Sequence, residues 1–224
     1  MQIMTRLRRM LGTREAGRII VYGDIHGCLR EWERLRRRLD IQSNDVEISV
    51  GDLVNKGPHS AETVRFARTH GVLAVMGNHE LKQLALLDRL SESRRSRERP
   101  SEDPRRVHAL KALSEADIAY LQELPYFLKI DNLTVVHGGI TPKTRLRHLS
   151  PIHEEELTRL RYIHAKALRP SVKGNKQATF WSALYQGQEG FVVYGHTPAG
   201  EVRRDPFALG IDRVGRSRRP GGGR

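Results

Sequence analysis

The chain has 224 residues, a formal net charge of +13, 29% charged and 38% hydrophobic residues, and a single cysteine, Cys28. That length can bury a core of its own as one domain, and one cysteine excludes an intrachain disulfide and fits a reducing compartment. No apolar stretch approaches a membrane span, and no long apolar run follows Arg6, Arg8 and Arg9, so neither a membrane anchor nor a secretory leader is expected. The Arg-rich stretch from Arg6 to Arg18 lacks the serines of a mitochondrial address, leaving the cytoplasm as the expected compartment.

After a basic N-terminal extension over residues 1–17, Arg18-Ile19-Ile20-Val21-Tyr22 reads as a short buried strand ending in the turn Gly23-Asp24-Ile25-His26-Gly27. Leu29, Trp32, Leu35 and Leu39 recur at helical spacing. Val46 to Val50 is a second strand and delivers Gly51-Asp52-Leu53-Val54-Asn55-Lys56-Gly57-Pro58; Ser60 then caps a helix through Ala67. Val72 to Met76 is a third strand, followed by Gly77-Asn78-His79-Glu80 and a helix from Glu80 to Leu90. Strand, loop and helix repeated three times predict βαβ units around a parallel sheet, whose carboxyl-end loops carry the site. Residues 91–106 mix both charge signs without apolar period and read as a flexible surface insertion or a poorly ordered helix end. Helix resumes over Val107 to Leu113, and Ser114 caps another helix to Leu121. Phe127 to Ile130 and Leu133 to Val136 flank Asp131-Asn132, a two-residue hairpin signal. The second strand leads into His137-Gly138-Gly139; Glu154 to Leu168 reads as helix. Phe191 to Tyr194 is a strand that delivers Gly195-His196-Thr197, and Phe207 to Asp212 begins one more. Residues 18–212 thus form the domain, and residues 213–224, with five arginines and no acid, read as a disordered tail.

Five turns at strand ends hold six possible metal ligands. Carboxylate oxygens with imidazole nitrogens suit Mn, Fe, Zn or related divalent ions. Asp24 and His26, two apart on a tight turn, can face one ion. Asp52, with two oxygens, can bridge two, and Asn78, His137 and His196 can complete a second site. Two ions about 3.5–4 Å apart can share a water, lower its pKa and polarise a phosphoryl oxygen, which hydrolyses phosphate bonds without a protein nucleophile. Each tripeptide alone would more often be a turn; their joint order carries the signal. Cys28 is read as a small buried residue at a helix start rather than a nucleophile, and Trp181 with Tyr185 as a helical packing pair rather than a base-stacking platform. His59, His108, His148, His153 and His164 are read as surface residues.

The set GDIHG, GDLVNKGP, GNHE, HGG and GHT, spread from Val21 to about Asp212, resembles the calcineurin-like metallophosphoesterases of the phosphoprotein-phosphatase branch. Lys56-Gly57-Pro58-His59-Ser60 and Leu160-Arg161-Tyr162-Ile163 look most like the ApaH-like phosphatases, relatives of symmetric diadenosine tetraphosphatase. The resemblance implies a four-layer α/β/β/α sandwich with a dinuclear site at the sheet edges and two divalent ions (Mn, Fe, Zn or Co). Asp24, His26 and Asp52 would hold the first ion; Asp52, Asn78, His137 and His196 would hold the second. His79 is implied as the general acid, and Lys56 and Arg161 as phosphate clamps. Asn55-Lys56 stands where protein Ser/Thr phosphatases usually show Asp-Arg. A neutral Asn55 stabilises a His79 imidazolium less, and a weaker proton donor suits a phosphate leaving group better than a serine alkoxide. Phosphoanhydrides follow as the expected substrates: a dinucleoside polyphosphate, polyphosphate or nucleotide. A phosphoprotein remains open, as do a nuclease and a degenerate scaffold that binds polyanions through its arginines. The basic regions permit nucleic acid, though no aromatic platform or finger spacing accompanies them. Relatives commonly continue past Gly210-Ile211-Asp212 into a closing strand where this chain has Arg213 and a basic tail, so the last strand pair could be missing.

Overall fold

The computed structural model describes residues 17–96 and 103–213. Strands Ile19–Tyr22 (β1), Val46–Ser49 (β2) and Leu73–Ala74 (β3) are separated by helices Leu29–Leu39 (α1) and Ser60–His70 (α2). Three more helices follow: Asn78–Ser96 (α3), Pro104–Lys111 (α4) and Glu115–Gln122 (α5). The three strands pair in parallel in the order β1-β2-β3. A parallel sheet is covered on both faces, and every residue of β2 is buried. Among them Glu47 is matched by the Tyr22 hydroxyl and by Arg36 of α1.

The second half alternates differently. Phe127–Ile130 (β4) and Leu133–Val136 (β5) form the expected hairpin, with Asp131 left-handed at φ 50°. Helix Pro151–Arg159 (α6), strands Tyr162–His164 (β6), Pro170–Ser171 (β7) and Ala178–Phe180 (β8), and a helical turn Trp181–Leu184 (α7) come next. Phe191–Tyr194 (β9), Arg203–Asp205 (β10) and Ala208–Gly210 (β11) complete the order. The main sheet here runs β10-β11-β9-β5-β4, and a small antiparallel sheet runs β7-β6-β8. In the main sheet β5, β9 and β11 are mutually parallel, so their carboxyl ends share one edge.

Three apolar layers fix the stacking. Ile48, Val50 and Val75 of the first sheet meet Leu128, Val135 and Val193 of the second, so the sheets pack face to face. Trp32, Val64, Leu86 and Leu121 cover the outer face of the first sheet with helices, and on the second sheet Tyr194 of β9 packs with Leu157 of α6, Trp181 of α7 and Ile163 of β6. The result is the expected helix–sheet–sheet–helix sandwich. Among the described residues no helix is long and apolar enough to cross a membrane.

Several sequence expectations need correcting. Helix α3 runs on through 91–96, the helix-end alternative, and α4 begins at Pro104 with Asp103 accepting from Arg105 N, while residues 97–102 lie outside the described ones. The helix expected over 154–168 is α6 followed by β6. Leu160 turns extended (ψ 126°), and Tyr162 and Ile163, good strand formers, pair with Phe180 and Thr179. Ser60 does not cap α2: its hydroxyl accepts from Asn55 N, and His59 holds the cap position. His164 accepts from Lys166 and Ala167 N–H and shapes a turn. Trp181 and Tyr185 are a buried packing pair, with ring centroids 5.7 Å apart. Whether a closing strand pair follows Asp212 concerns residues from 214 on, outside the described ones, as do the N-terminal extension up to residue 16 and most of the basic tail.

Asp117 ties α5 to α2. The Ser114 capping box closes on it, and Arg68 and Arg65 reach it from α2. Burial opposes its ionisation, but the Ser114 hydroxyl and N–H with the two guanidiniums outweigh this and hold its carboxyl below the ordinary range. A depressed carboxyl contributes stability above its unfolded pKa of about 3.9 and loses it as pH falls toward the folded value. Asp117→Asn is therefore expected to lower unfolding free energy by roughly 1–3 kcal/mol at pH 7, with the deficit shrinking below about pH 4. Urea denaturation at both pH values checks this; an equal deficit at both contradicts it.

Candidate metal centre

Each site segment leaves the carboxyl end of a strand. Asp24 and His26 follow β1, Asp52 follows β2, and Asn78 and His79 follow β3 at the start of α3. His137 follows β5 and His196 follows β9. Because two sheets deliver these ends to one edge, residues 172 positions apart touch: His196 N donates to Asp24 Oδ1 at 3.1 Å. His137 Nδ1 reaches Val50 O of the other sheet at 2.8 Å.

Asp52 stands at the centre. Its carboxylate lies 3.4 Å from His26 Nε2, 3.3 Å from His137 Nε2 and 4.0 Å from His79 Nε2. His26 Nε2 is also 3.8 Å from Asp24, and Asn78 Oδ1 is 3.0 Å from His137 Nε2. Two groups of donors are tight enough to share an ion: Asp24, Asp52 and His137, and His26, Asp52 and His79. His79 thus stands among the donors although the sequence reserves it for proton transfer.

The backbone is bent to achieve this. Five of the eight non-glycine residues with positive φ among the described residues are His26, Asp52, Asn55, Lys56 and His196. Such conformations are uncommon and cluster at functional sites. The turns also need bare backbone: a Cβ on Gly195 would run into Asp24 Oδ1, and one on Gly77 into Asp52. Glu80 holds the arrangement from beneath. Fully buried, it accepts N–H groups from Asp52 (2.8 Å), Gly77 (3.0 Å) and Val54 (3.1 Å).

Imidazole tautomers follow from backbone contacts. His137 Nδ1 gives its hydrogen to Val50 O, and His26 Nδ1 gives its hydrogen to Val54 O, 3.0 Å away. Each Nε2 then turns a lone pair inward, the usual second contact of a metal-bound histidine. For His137 that lone pair faces two oxygens, of Asn78 and Asp52, a convergence of acceptors that a cation matches. Burial pushes Asp24 up, Asp52 up to about 7, and Asp212 up to about 7 with Asp24 beside it. Burial likewise pushes His26 down to about 4 and His79 down to about 3. Neutral imidazoles are the ligating form, and a divalent cation would draw the carboxyls back to the ionised one. The residues present therefore fit a dinuclear metal group.

Lys56 lines the cavity over the site, with its Nζ 2.6 Å from His26 Nε2. Arg161 reaches the site, with one NH2 donating to His196 O at 3.0 Å. Asn55 Nδ2 lies 3.2 Å from His79 Nδ1 and 3.5 Å from His79 O, while Asn55 Oδ1 is buried without a hydrogen-bond partner. Burial, with Glu31 nearby, raises the Cys28 thiol, consistent with an inert residue at the start of α1. Sequence reasoning missed four participants. Asp212, delivered by β11, lies beside Asp24, and Arg159 and Lys82 line the cavity over the site. Glu80 lies inside a recognised motif but was given no role. The strand-end rule could have found Asp212; nothing in the sequence marks Arg159 or Lys82.

A family model described as calcineurin-like phosphoesterase matches residues 17–214. The chain is 29% identical over 174 residues to a symmetrical bis(5'-nucleosyl)-tetraphosphatase of Psychromonas ingrahamii, covering 75% of this chain and 60% of that protein. It is 31% identical over 179 residues to the enzyme of that name from Coxiella burnetii, covering 75% and 57%. The chain thus spans about three fifths of the length of these curated relatives. A solved structure of a candidate diadenosine tetraphosphatase superposes with a TM-score of 0.73 at 29% identity, covering 89% of this chain and 84% of that one. A Saccharomyces cerevisiae protein serine/threonine phosphatase shares the fold alone, at 15% identity and a TM-score of 0.56, covering 94% and 75%.

Glu80→Gln would turn an amide N–H toward Val54 N–H. It is expected to cost roughly 1–3 kcal/mol of unfolding free energy, read by urea denaturation. An unchanged value would show that Glu80 does not hold the site loops.

Proposed function

The chain belongs to the calcineurin-like phosphoesterase family, and on that footing we propose that it is a metal-dependent phosphoanhydride hydrolase acting on dinucleoside polyphosphates. The observation that carries the reading is Asp52, whose carboxylate stands within 4.0 Å of three imidazole nitrogens on segments from both sheets. The family resemblance would put one divalent ion on Asp24, His26 and Asp52 and the other on Asp52, Asn78, His137 and His196, while the tightest donor groups, Asp24 with His137 and His26 with His79, both share Asp52. Such a pair supplies Lewis acidity and a water of lowered pKa.

The protein's own groups do the rest. Lys82, Arg159 and Arg161 line the cavity with Lys56, and the amino end of α3 points its partial positive charge the same way. Burial and the neighbouring Arg159 pull the Lys82 ammonium below its ordinary value, a sign of crowded positive charge. A polyanion answers that field. His79, whose Nε2 stands 4.0 Å from Asp52, would pass a proton from its imidazolium form to the departing oxygen and return to the neutral form. Asn55, beside His79 Nδ1, is a neutral amide and supports that imidazolium less than a carboxylate would, and burial already pushes the His79 pKa down to about 3. That favours leaving groups needing little protonation, such as phosphates, over serine alkoxides. The named tetraphosphatase relatives support the same substrate class.

Hydrolysis of diadenosine tetraphosphate, inorganic polyphosphate and a phosphoserine peptide, with manganese, cobalt, iron or zinc supplied, tests the reading. The anhydrides are expected to be preferred, and chelation or Asp52→Asn to abolish turnover. His79→Ala should slow any monoester hydrolysis by about a hundredfold or more and anhydride hydrolysis by less. Preference for the phosphopeptide would overturn the substrate class.

A further inference from the structure

We propose that the cavity walled by Tyr162 and Phe180 is a nucleoside subsite, so that one base of a dinucleoside polyphosphate stacks there while the phosphate chain lies over the metal centre. This rests on the substrate reading above.

Three cavities lie in series. The central one, about 280 Å³, contains Asp24, Asp52, His79 and His196. On one side it shares Lys56, His79 and Lys82 with a cavity of about 910 Å³ between α2 and α4. On the other it shares Arg159, Arg161 and Pro198 with a cavity of about 720 Å³ between α6 and the small sheet. A cationic centre flanked by two roomy cavities matches a linear ligand with an anionic middle and a bulky group at each end. Both flanks fall within the size range of small-molecule sites.

The flank beside Arg161 has the chemistry for a base. Tyr162 and Phe180 are cross-strand partners of β6 and β8, which locks their rings together with centroids 4.7 Å apart. The Arg203 guanidinium covers Phe180 at 3.6 Å. Arg203 and Tyr162 thus both pack against Phe180, the two rings tilted by 33°, and both rings line the cavity where a purine would stack. Val172, 73% exposed, adds an apolar wall on the loop after β7. Base–aromatic stacking tolerates any base and is substantial. Among the described residues the larger cavity, walled by Pro58, Ala61, Pro104 and Ala109, has no aromatic ring apart from the two histidines, so the stacked base belongs on the Tyr162 side.

The test compares kcat and KM for diadenosine tetraphosphate and inorganic tetraphosphate in the wild type, Tyr162→Leu and Val172→Asp. Val172 lies on an exposed loop, where a folding defect is not at issue. The specificity ratio, dinucleoside over inorganic, is expected to fall about tenfold in each variant, through KM more than kcat. Dinucleoside turnover in the wild type with an unaltered ratio in both variants would overturn the subsite alone. A wild type that cleaves inorganic tetraphosphate but not the dinucleoside would overturn the subsite together with the substrate reading beneath it.

Discussion

Everything in this molecule turns on gathering carboxylates and imidazoles at one buried point. Asp24, Asp52 and Asp212 resist ionising there, and His26, His79 and His196 resist protonation, with burial the leading cause for each. Donors held together against this resistance suit a divalent cation, which reverses the penalty on the carboxylates. The remainder of the fold reads as the apparatus that keeps them there.

That apparatus works mainly through the backbone. Two parallel strand sets end at one edge, so their loops meet, and left-handed residues at His26, Asp52, Asn55, Lys56 and His196 turn side chains inward. Glu80, from the first turn of α3, gathers three N–H groups from the Asp52 and Gly77 loops. The sheets themselves are pressed together by Ile48, Val50, Leu128 and Val193. Helices outside them place Lys82 and Arg159 over the site. Core packing and site chemistry are thus linked through the strand ends.

The place of the candidate site was legible because its polar residues sit on glycine-flanked turns, each after a β-branched run, and the strand ends bring those turns together. Strand identities for β1, β2, β4, β5 and β9 came from the same local pattern. What failed was set by tertiary context. Tyr162 and Ile163 look like a helix's apolar face until Phe180 and Thr179 pair with them. Ser60 looks like a cap until Asn55 N claims its hydroxyl. Asp212 escaped notice because its strand is only three residues long and the chemistry of the site was already accounted for by six earlier residues.

The most direct test of a dinuclear centre built around Asp52 is metal stoichiometry, measured by equilibrium dialysis against manganese followed by elemental analysis. The wild-type chain is expected to hold two ions, and Asp52→Asn, which replaces one carboxylate oxygen with an amide nitrogen, to hold at most one weakly. Binding of fewer than two ions by the wild type with every divalent metal tried, or two ions held equally well by the variant, would contradict the account.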